Sequence, residues 1–262
     1  MKTTFIGCGN MGGATVRGLI SRGLLSAKDV TCCDLSQACL ERMKQIDNAI
    51  TVTTDSRKAA EGAGLIVLAV KPWAVEPTLA TFKDLLDLDK QDLVVIAAGI
   101  TFEMLSGWIG SSNATLFRAI PNTAIEVGSS VTFISAQNAS EARTARIVEL
   151  FGALGRAVLI PEDKMSAGTA LASCGIAYAM RYIRAAMEGG VELGFRADEA
   201  LNIVLGTVKG AADLLSASGE HPEAAIDKVT TPGGITIKGL NKMEEEGFSN
   251  AVIAGLKASQ SK

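Results

Sequence analysis

Histidine is nearly absent from this chain. Its one copy, His221, precedes Pro222 in a polar stretch and reads as a cap or a surface residue. Chemistry that needs a positioned imidazole as acid and base is therefore hard to build. Lysine is missing between Lys164 and Lys209, so the middle of the chain offers no amine for the same task. The five cysteines, Cys8, Cys32, Cys33, Cys39 and Cys174, are odd in number and match no zinc-site spacing. Cys32 and Cys33 are neighbours in an expected strand and so face opposite ways. All five read as reduced thiols, and no metal is required. Charged residues make up an ordinary 20%, with a net charge of -3 and a pI near 5.4, so there is no excess of either sign. Without clustered Lys and Arg there is no nucleic-acid-binding surface to expect. The longest uncharged stretch in mid-chain, Met165 to Met180, is rich in Ala, Gly and Ser. It is shorter than the roughly 20 apolar residues of a membrane span and reads as a buried interface helix. Glycines interrupt the first residues too soon for a signal peptide. The expectation is a cytoplasmic protein with no membrane segment.

The remainder is ordinary globular material, with 48% hydrophobic residues in 262, enough for one or two domains. Strand-like runs occur at Thr3–Ile6, Val30–Asp34, Ile50–Thr53, Leu65–Val70, Leu93–Ala97, Thr115–Arg118, Val131–Ile134 and Ala157–Ile160. Several are continuous apolar runs, as in parallel strands buried on both faces. Helical patterns such as Met11–Ser21 and Ser36–Gln45 lie between them. This alternation predicts an α/β fold with a Rossmann-type doubly wound sheet. From Asp163 onward no strand is expected. Helical patterns cover roughly Lys164–Leu193 and Ala197–Ser216, with breaks at Ser218–Pro222 and Thr230–Gly234 and two short helices beyond. The expected domains are therefore 1–162, binding a dinucleotide, and 163–262, all helical.

The first strand runs straight into Gly7-Cys8-Gly9-Asn10-Met11-Gly12. This is G-x-G-x-x-G, closing a strand and opening a helix. Its first glycine makes the tight turn, the second admits a pyrophosphate, and the third lets helix and strand pack closely. Asp34 ends the second strand, 22 residues after Gly12 (34 − 12). An acid there suits the adenosine ribose hydroxyls and repels a 2′-phosphate, so Asp34 leans toward NADH over NADPH. Two more strands end in turn signals, Lys71-Pro72 and Gly99. In such sheets these loops line the nicotinamide half of the crevice.

The long helix carries many small residues: Ala167, Gly168, Ala170, Ala172, Ser173, Gly175, Ala177 and Ala179. Small side chains allow close backbone approach, either within the domain or at a subunit interface or ligand floor. Farther on, Thr230-Thr231-Pro232-Gly233-Gly234-Ile235-Thr236 forms a tight turn between helical patterns. Exposed amides at a helix start bind carboxylates, although the same sequence also serves as a plain helix cap.

In order and spacing, the chain resembles the pyrroline-5-carboxylate reductase family over almost its whole length. The resemblance rests on Phe5 through Gly12, Ala69-Val70-Lys71-Pro72, Ala97-Ala98-Gly99, Arg118-Ala119-Ile120-Pro121-Asn122-Thr123, Gly219-Glu220-His221-Pro222 and the Thr230–Leu240 loop and helix. It implies reduction of 1-pyrroline-5-carboxylate to L-proline with NADPH or NADH. It also implies dinucleotide contacts from Ile6, Gly7, Cys8, Gly9, Asn10, Met11, Ser56, Ala69, Val70, Lys71, Pro72, Ala97, Ala98 and Gly99. Substrate contacts would come from Thr231, Gly233, Gly234, Thr236 and Cys174. The family forms intertwined dimers through its helical domain, often assembled into decamers, and pairs one subunit's cofactor domain with the other's helices. The chain departs from the family pattern at Ala172 to Tyr178, whose usual form is Ser-Gly-Ser-Gly-Pro-Ala-Tyr, and also at Ala124, Thr231 and Ile235. Cys174 and Ile176 stand within the first of these departures. They bear on the substrate more than on the cofactor.

Imine reduction suits a chain so poor in titratable groups. A protonated imine already carries its proton and needs only orientation, a carboxylate clamp and a partner for its N–H. Thr236 is the hydroxyl expected nearest the imine nitrogen. The alternatives are an NAD(P)-dependent reductase of another cyclic imine or small carbonyl compound, and a dinucleotide-binding protein that turns nothing over.

Overall fold

The computed structural model describes residues 1–87 and 89–260. Two compact units emerge, one built on Met1–Ser173 and the other on Cys174–Ser259.

The first unit is an eight-stranded sheet in the order β3-β2-β1-β4-β5-β6-β7-β8. Its strands are β1 Thr3–Ile6, β2 Val30–Cys33, β3 Thr51–Thr53, β4 Leu65–Leu68, β5 Asp92–Val95, β6 Leu116–Ile120, β7 Ser130–Gln137 and β8 Gly155–Leu159. All pairings are parallel except β6 with β7. The expectation of a parallel sheet thus fails at one ladder. Only a 3₁₀ turn, Thr123–Val127, joins β6 to β7, too short for the crossover that parallel strands need. The strand order switches between β1 and β4, which is where such sheets bind ligands.

Helices α1 Asn10–Ser21, α2 Gln37–Ile46, α3 Ser56–Ala60, α4 Pro72–Ala80, α5 Phe102–Ile109 and α6 Glu141–Gly152 connect the strands. Local chemistry sets their starts: Asp55, Thr101 and Ser140 accept backbone N–H groups at the openings of α3, α5 and α6. The sheet buries both faces. Phe5, Leu19, Met43, Phe117 and Phe151 pack on one side. Ile66, Leu68, Leu79, Phe82, Leu93 and Leu105 pack on the other. Strand ends differ from the sequence expectation in a useful way. β2 stops at Cys33 and β4 at Leu68, which places Asp34 and residues 69–71 just past the strand ends.

The expected helix over Lys164–Leu193 is not uniform. Short α7, Met165–Gly168, passes into a π-helical turn, Thr169–Cys174, and then α8, Gly175–Glu192. Its small residues divide in role. Gly168 lies against the sheet, where a Cβ would come 2.8 Å from the Phe133 ring, so that end of the stripe packs within the unit. By compactness the units divide at Ser173/Cys174, so Gly168 falls in the first of them. Ala177 and Ala179, by contrast, are exposed.

The second unit is helical throughout: α8, then α9 Ala197–Ser218, α10 Pro222–Asp227, α11 Ile235–Glu245 and α12 Phe248–Ala258. Helix α10 was not expected; Pro222 at its first position and His221 before it form its cap. Tyr178 donates to the Gly255 carbonyl at 3.3 Å and meets Ser259, and Tyr182 stacks edge-on against Phe248, so α12 is tied to α8. Among the described residues of these helices only Ala200 is buried. Met180, Leu193, Phe195, Ile203 and Leu214 are all at least half exposed. By length and mean hydropathy, 1.2, α9 is the one helix among the described residues apolar enough to cross a membrane.

One buried ion cluster braces the amino ends of the central strands. Asp92 is fully buried at the start of β5, bonded to Arg143 Nε at 2.6 Å and to Arg146. Arg143 also reaches the Thr115 hydroxyl and the carbonyls of Asp89 and Gln91. Removing one partner of a buried pair leaves uncompensated charge and typically costs about 3–5 kcal/mol, the lower end applying here because Arg146 is half exposed. Asp92→Asn should therefore lower unfolding free energy by about 3 kcal/mol in urea titration. A loss below about 0.5 kcal/mol, the size of an ordinary surface substitution, would show that the cluster does not brace the sheet.

Candidate active site

The loop Gly7–Gly12 leaves β1 at the carboxyl edge of the sheet. Gly7 has φ +95°, and a Cβ there would lie 2.7 Å from the Ala69 carbonyl carbon. At Gly12 a Cβ would come within 1.9 Å of the Gly7 oxygen. At Gly9 a Cβ would meet nothing within 4 Å. The three glycines thus do three jobs: the turn, the open approach, and the close packing of helix on strand. Gly9 is also the cap residue of α1, with no side chain bonding the first amides of that helix. Amides at Asn10 and Met11 therefore open a helix N-terminus beside clear space, which suits a pyrophosphate.

Asp34 comes directly after β2. Its Oδ2 accepts the Cys8 N–H at 2.7 Å and its Oδ1 the Ser36 N–H at 2.8 Å. The carboxylate stands where the adenosine ribose is expected, and it also props the glycine loop from beneath. Around it, Gly7 N–H donates to the Cys33 carbonyl at 2.8 Å and Ala69 N–H to the Ile6 carbonyl at 2.7 Å. Ala69 and Val70 are half-buried, and Lys71 caps α4 with extended backbone before Pro72. Ala97 is buried while Ala98 and Gly99 are exposed. β2, β1, β4 and β5 are consecutive in the sheet, so Asp34, Gly7–Met11, 69–72 and 97–99 share one edge. Ser56 lies just beyond β3, the neighbouring edge strand, and its hydroxyl is already bonded to Thr81 Oγ1 at 2.7 Å. Sequence reasoning passed over Leu35 and Trp73, 91% and 79% exposed beside these loops, although a large apolar residue next to a loop motif was a legible signal.

The thiols behind the loop are inert. A hydrogen bond with Cys32, together with burial, holds the Cys8 thiol far above its ordinary range. Burial first, then the Asp34 and Asp55 carboxylates, push Cys33 up to about 11. Both remain protonated at neutral pH, as expected of buried structural cysteines.

The end of the motif Arg118–Thr123 is tied to the turn that follows it and to the chain near Cys174. The Asn122 side chain caps the 3₁₀ turn by accepting the Ala124 N–H at 3.1 Å, and its Nδ2 donates to the Ala172 carbonyl at 3.4 Å. Ser173 Oγ donates to the Pro121 carbonyl at 3.1 Å. Both contacts secure the π-helical turn that ends at Cys174. Such turns are frequent at functional sites.

In the second unit, Gly234 N–H donates to the Thr231 carbonyl at 2.8 Å, closing a turn across Pro232 and Gly233. Gly233 has φ +72°. Proline second and a left-handed glycine third is the type II pattern. Helix α11 begins immediately after, with Gly234 at its cap and no side chain bonding its first amides. Thr231, Gly233 and Thr236 are exposed, and Gly234 is half-buried. Thr236 sits in the first turn of α11, so it is not the helix cap. His221 is the cap of α10, its Nδ1 accepting the Glu223 N–H at 3.2 Å, as its place before Pro222 suggested.

The fold and the glycine loop define a dinucleotide-binding protein of the Rossmann type. Residues 2–99 match the family model described as NADP oxidoreductase coenzyme F420-dependent, and residues 162–262 match that of the pyrroline-5-carboxylate reductase dimerisation domain. The pyrroline-5-carboxylate reductase of Arabidopsis thaliana is 33% identical over 99% of this chain and 94% of its own length. The chain belongs to the pyrroline-5-carboxylate reductase family. Pyrroline-5-carboxylate reductase 1 of Dictyostelium discoideum is 34% identical over 98% of this chain, which spans about half, 48%, of that relative. The crystal structure of Plasmodium falciparum pyrroline carboxylate reductase with NADP bound has a TM-score of 0.89 at 25% identity, covering 99% of this chain and 95% of that one.

The glycine geometry separates folding from binding. Gly9→Ala should fold with stability within about 1 kcal/mol of the parent, since the methyl meets no protein atom and a cap position tolerates the change. Its dinucleotide affinity should fall about tenfold or more, because that methyl occupies the pyrophosphate's approach. Gly7→Ala should instead destabilise the fold through its positive φ. Fluorescence titration with NADH and thermal melts would check both. Unchanged NADH affinity in Gly9→Ala would move the phosphate away from this loop.

Proposed function

We propose that the chain reduces 1-pyrroline-5-carboxylate to L-proline with NAD(P)H, taking NADH in preference to NADPH. The observation that carries the chemistry is the type II turn at Thr231–Gly234, which opens α11 with no side-chain cap. Its amides suit the substrate carboxylate, and Thr236, the second residue of the helix, suits the ring nitrogen. The bound nicotinamide supplies a hydride to the imine carbon. Gly7–Met11 and Asp34 hold its dinucleotide, the loops 69–72 and 97–99 orient the ring end, and the Thr236 hydroxyl accepts the N–H of the protonated imine. No side chain has to move a proton, which fits a chain whose one histidine is a helix cap.

The helical unit is proposed to pair with a second copy. Helices that bury only Ala200 leave Met180, Leu193, Phe195, Ile203 and Leu214 uncovered. Such a surface needs a partner, and a facing copy of the same helices is the occupant that a dimerisation segment implies. On this reading the apolar side of α9 meets protein rather than lipid, and larger assemblies such as decamers build on the dimer. Five unpaired cysteines suit a cytoplasmic setting.

Asp34→Ser should raise the NADPH/NADH efficiency ratio by removing a negative charge. It should also weaken both cofactors, since the bond to the Cys8 N–H at 2.7 Å is lost. Steady-state kinetics with both cofactors decides this, and a parent enzyme that strongly prefers NADPH overturns the NADH reading.

Thr236→Val keeps the shape and removes the hydroxyl. Loss of one hydrogen bond is worth about 0.5–1.5 kcal/mol, more at a charged nitrogen, so catalytic efficiency should fall about threefold to tenfold or further. Dinucleotide affinity should not change. The assay should include several cyclic imines. Unchanged efficiency on pyrroline-5-carboxylate, with only a lower Tm, would leave Thr236 a structural residue, and preference for another ring would reassign the substrate.

A further inference from the structure

Arg118 lies on β6, buried along its length, and its side chain is 7% exposed. A guanidinium so placed needs a carboxylate, and it has Glu162, with Nη1 to Oε1 at 2.7 Å. Its charge also sits 6.0 Å from the centre of the Phe102 ring, and its Nε is buried with no partner among the described residues. The same Glu162 Oε1 accepts the Phe102 backbone N–H at 2.7 Å. Phe102 opens α5 immediately after its cap Thr101, so a carboxylate there also meets the positive end of a helix.

The loop that leads into this arrangement is Ala97-Ala98-Gly99. Ala98 and Gly99 are exposed, Gly99 has φ +78°, and Ile100 and Phe102 are buried again. One oxygen of Glu162 therefore pins the far end of a loop whose near end is anchored by β5. Among the described residues Arg118 pairs with no other carboxylate, so the pin is coupled to the one arrangement that neutralises it.

We propose that Glu162 is a positioning residue for the nicotinamide end of the dinucleotide site, acting through the Phe102 amide and Arg118 on the 97–101 turn. This rests on the reading of 97–99 as the loop beside the nicotinamide. Neither Glu162 nor Arg118 touches the cofactor in this proposal. Their loss should therefore be felt by the half of the ligand that the turn faces and not by the adenosine half.

The test compares NADH with ADP-ribose, which lacks the nicotinamide, on Glu162→Ala and Glu162→Gln. In Glu162→Ala, NADH affinity should fall about tenfold while ADP-ribose affinity stays within about twofold. Glu162→Gln keeps an acceptor for both donors and should recover NADH affinity to within about threefold of the parent. If Glu162→Ala does not fold, the pair Arg118→Met with Glu162→Met removes both charges from the interior and should fold. It leaves the Phe102 N–H without its acceptor and should show the same selective loss. Equal loss for NADH and ADP-ribose, or no loss in either, overturns the proposal. A parent protein that binds neither ligand removes the dinucleotide reading itself, a result distinct from both.

Discussion

The backbone at Gly7 passes so close to the end of β4 that a methyl group would lie 2.7 Å from the Ala69 carbonyl carbon. Everything at the sheet's carboxyl edge depends on that approach. It lets β1 and β4 lie side by side where the strand order switches. It turns the chain so that α1 begins with open amides, and it brings the Cys8 N–H onto Asp34 at 2.7 Å. A side chain at Gly7 would push the strands apart, and the helix, the acid and the loop after β4 would lose their common edge. The third glycine closes the same arrangement from the helix side, where the space left is smaller still.

Buried charge is the second constraint, and it is used at both ends of the sheet. Asp92 and its arginines brace the amino ends of the strands, away from the dinucleotide loops. Arg118 and Glu162 do comparable work at the opposite edge, where α5 starts. Ions with this little water around them persist only when each is paired, so each cluster admits few alternative packings. The apolar packing on the two faces supplies most of the stability, and the ion pairs tie distant strands and helices together.

The helical unit obeys a different logic. Its helices are well formed, yet Ala200 is the only described residue they bury, and large apolar side chains face outward along α8 and α9. Most of a helix's stability in a protein comes from packing of its apolar face, and here much of that face is uncovered. Ala177 and Ala179 lie on the same uncovered surface.

The sequence by itself determined the doubly wound sheet, the dinucleotide loop and the helical second half. Strand periodicity, three glycines at fixed spacing and the absence of β-like runs after Asp163 are local signals, and each has a local physical cause. The Pro-Gly-Gly turn was legible in the same way. Features beyond the reach of sequence depend on residues far apart along the chain. No local rule pairs Arg118 with Glu162, sends Gly168 against Phe133, or lets Asn122 hold the Ala172 carbonyl of a π-helical turn. Nor does one show that Asp34 already binds Cys8, since that bond exists only once β2 has docked beside β1. Those contacts were settled when the strands and helices packed, because buried charges and amides take whichever partner the tertiary structure brings within reach.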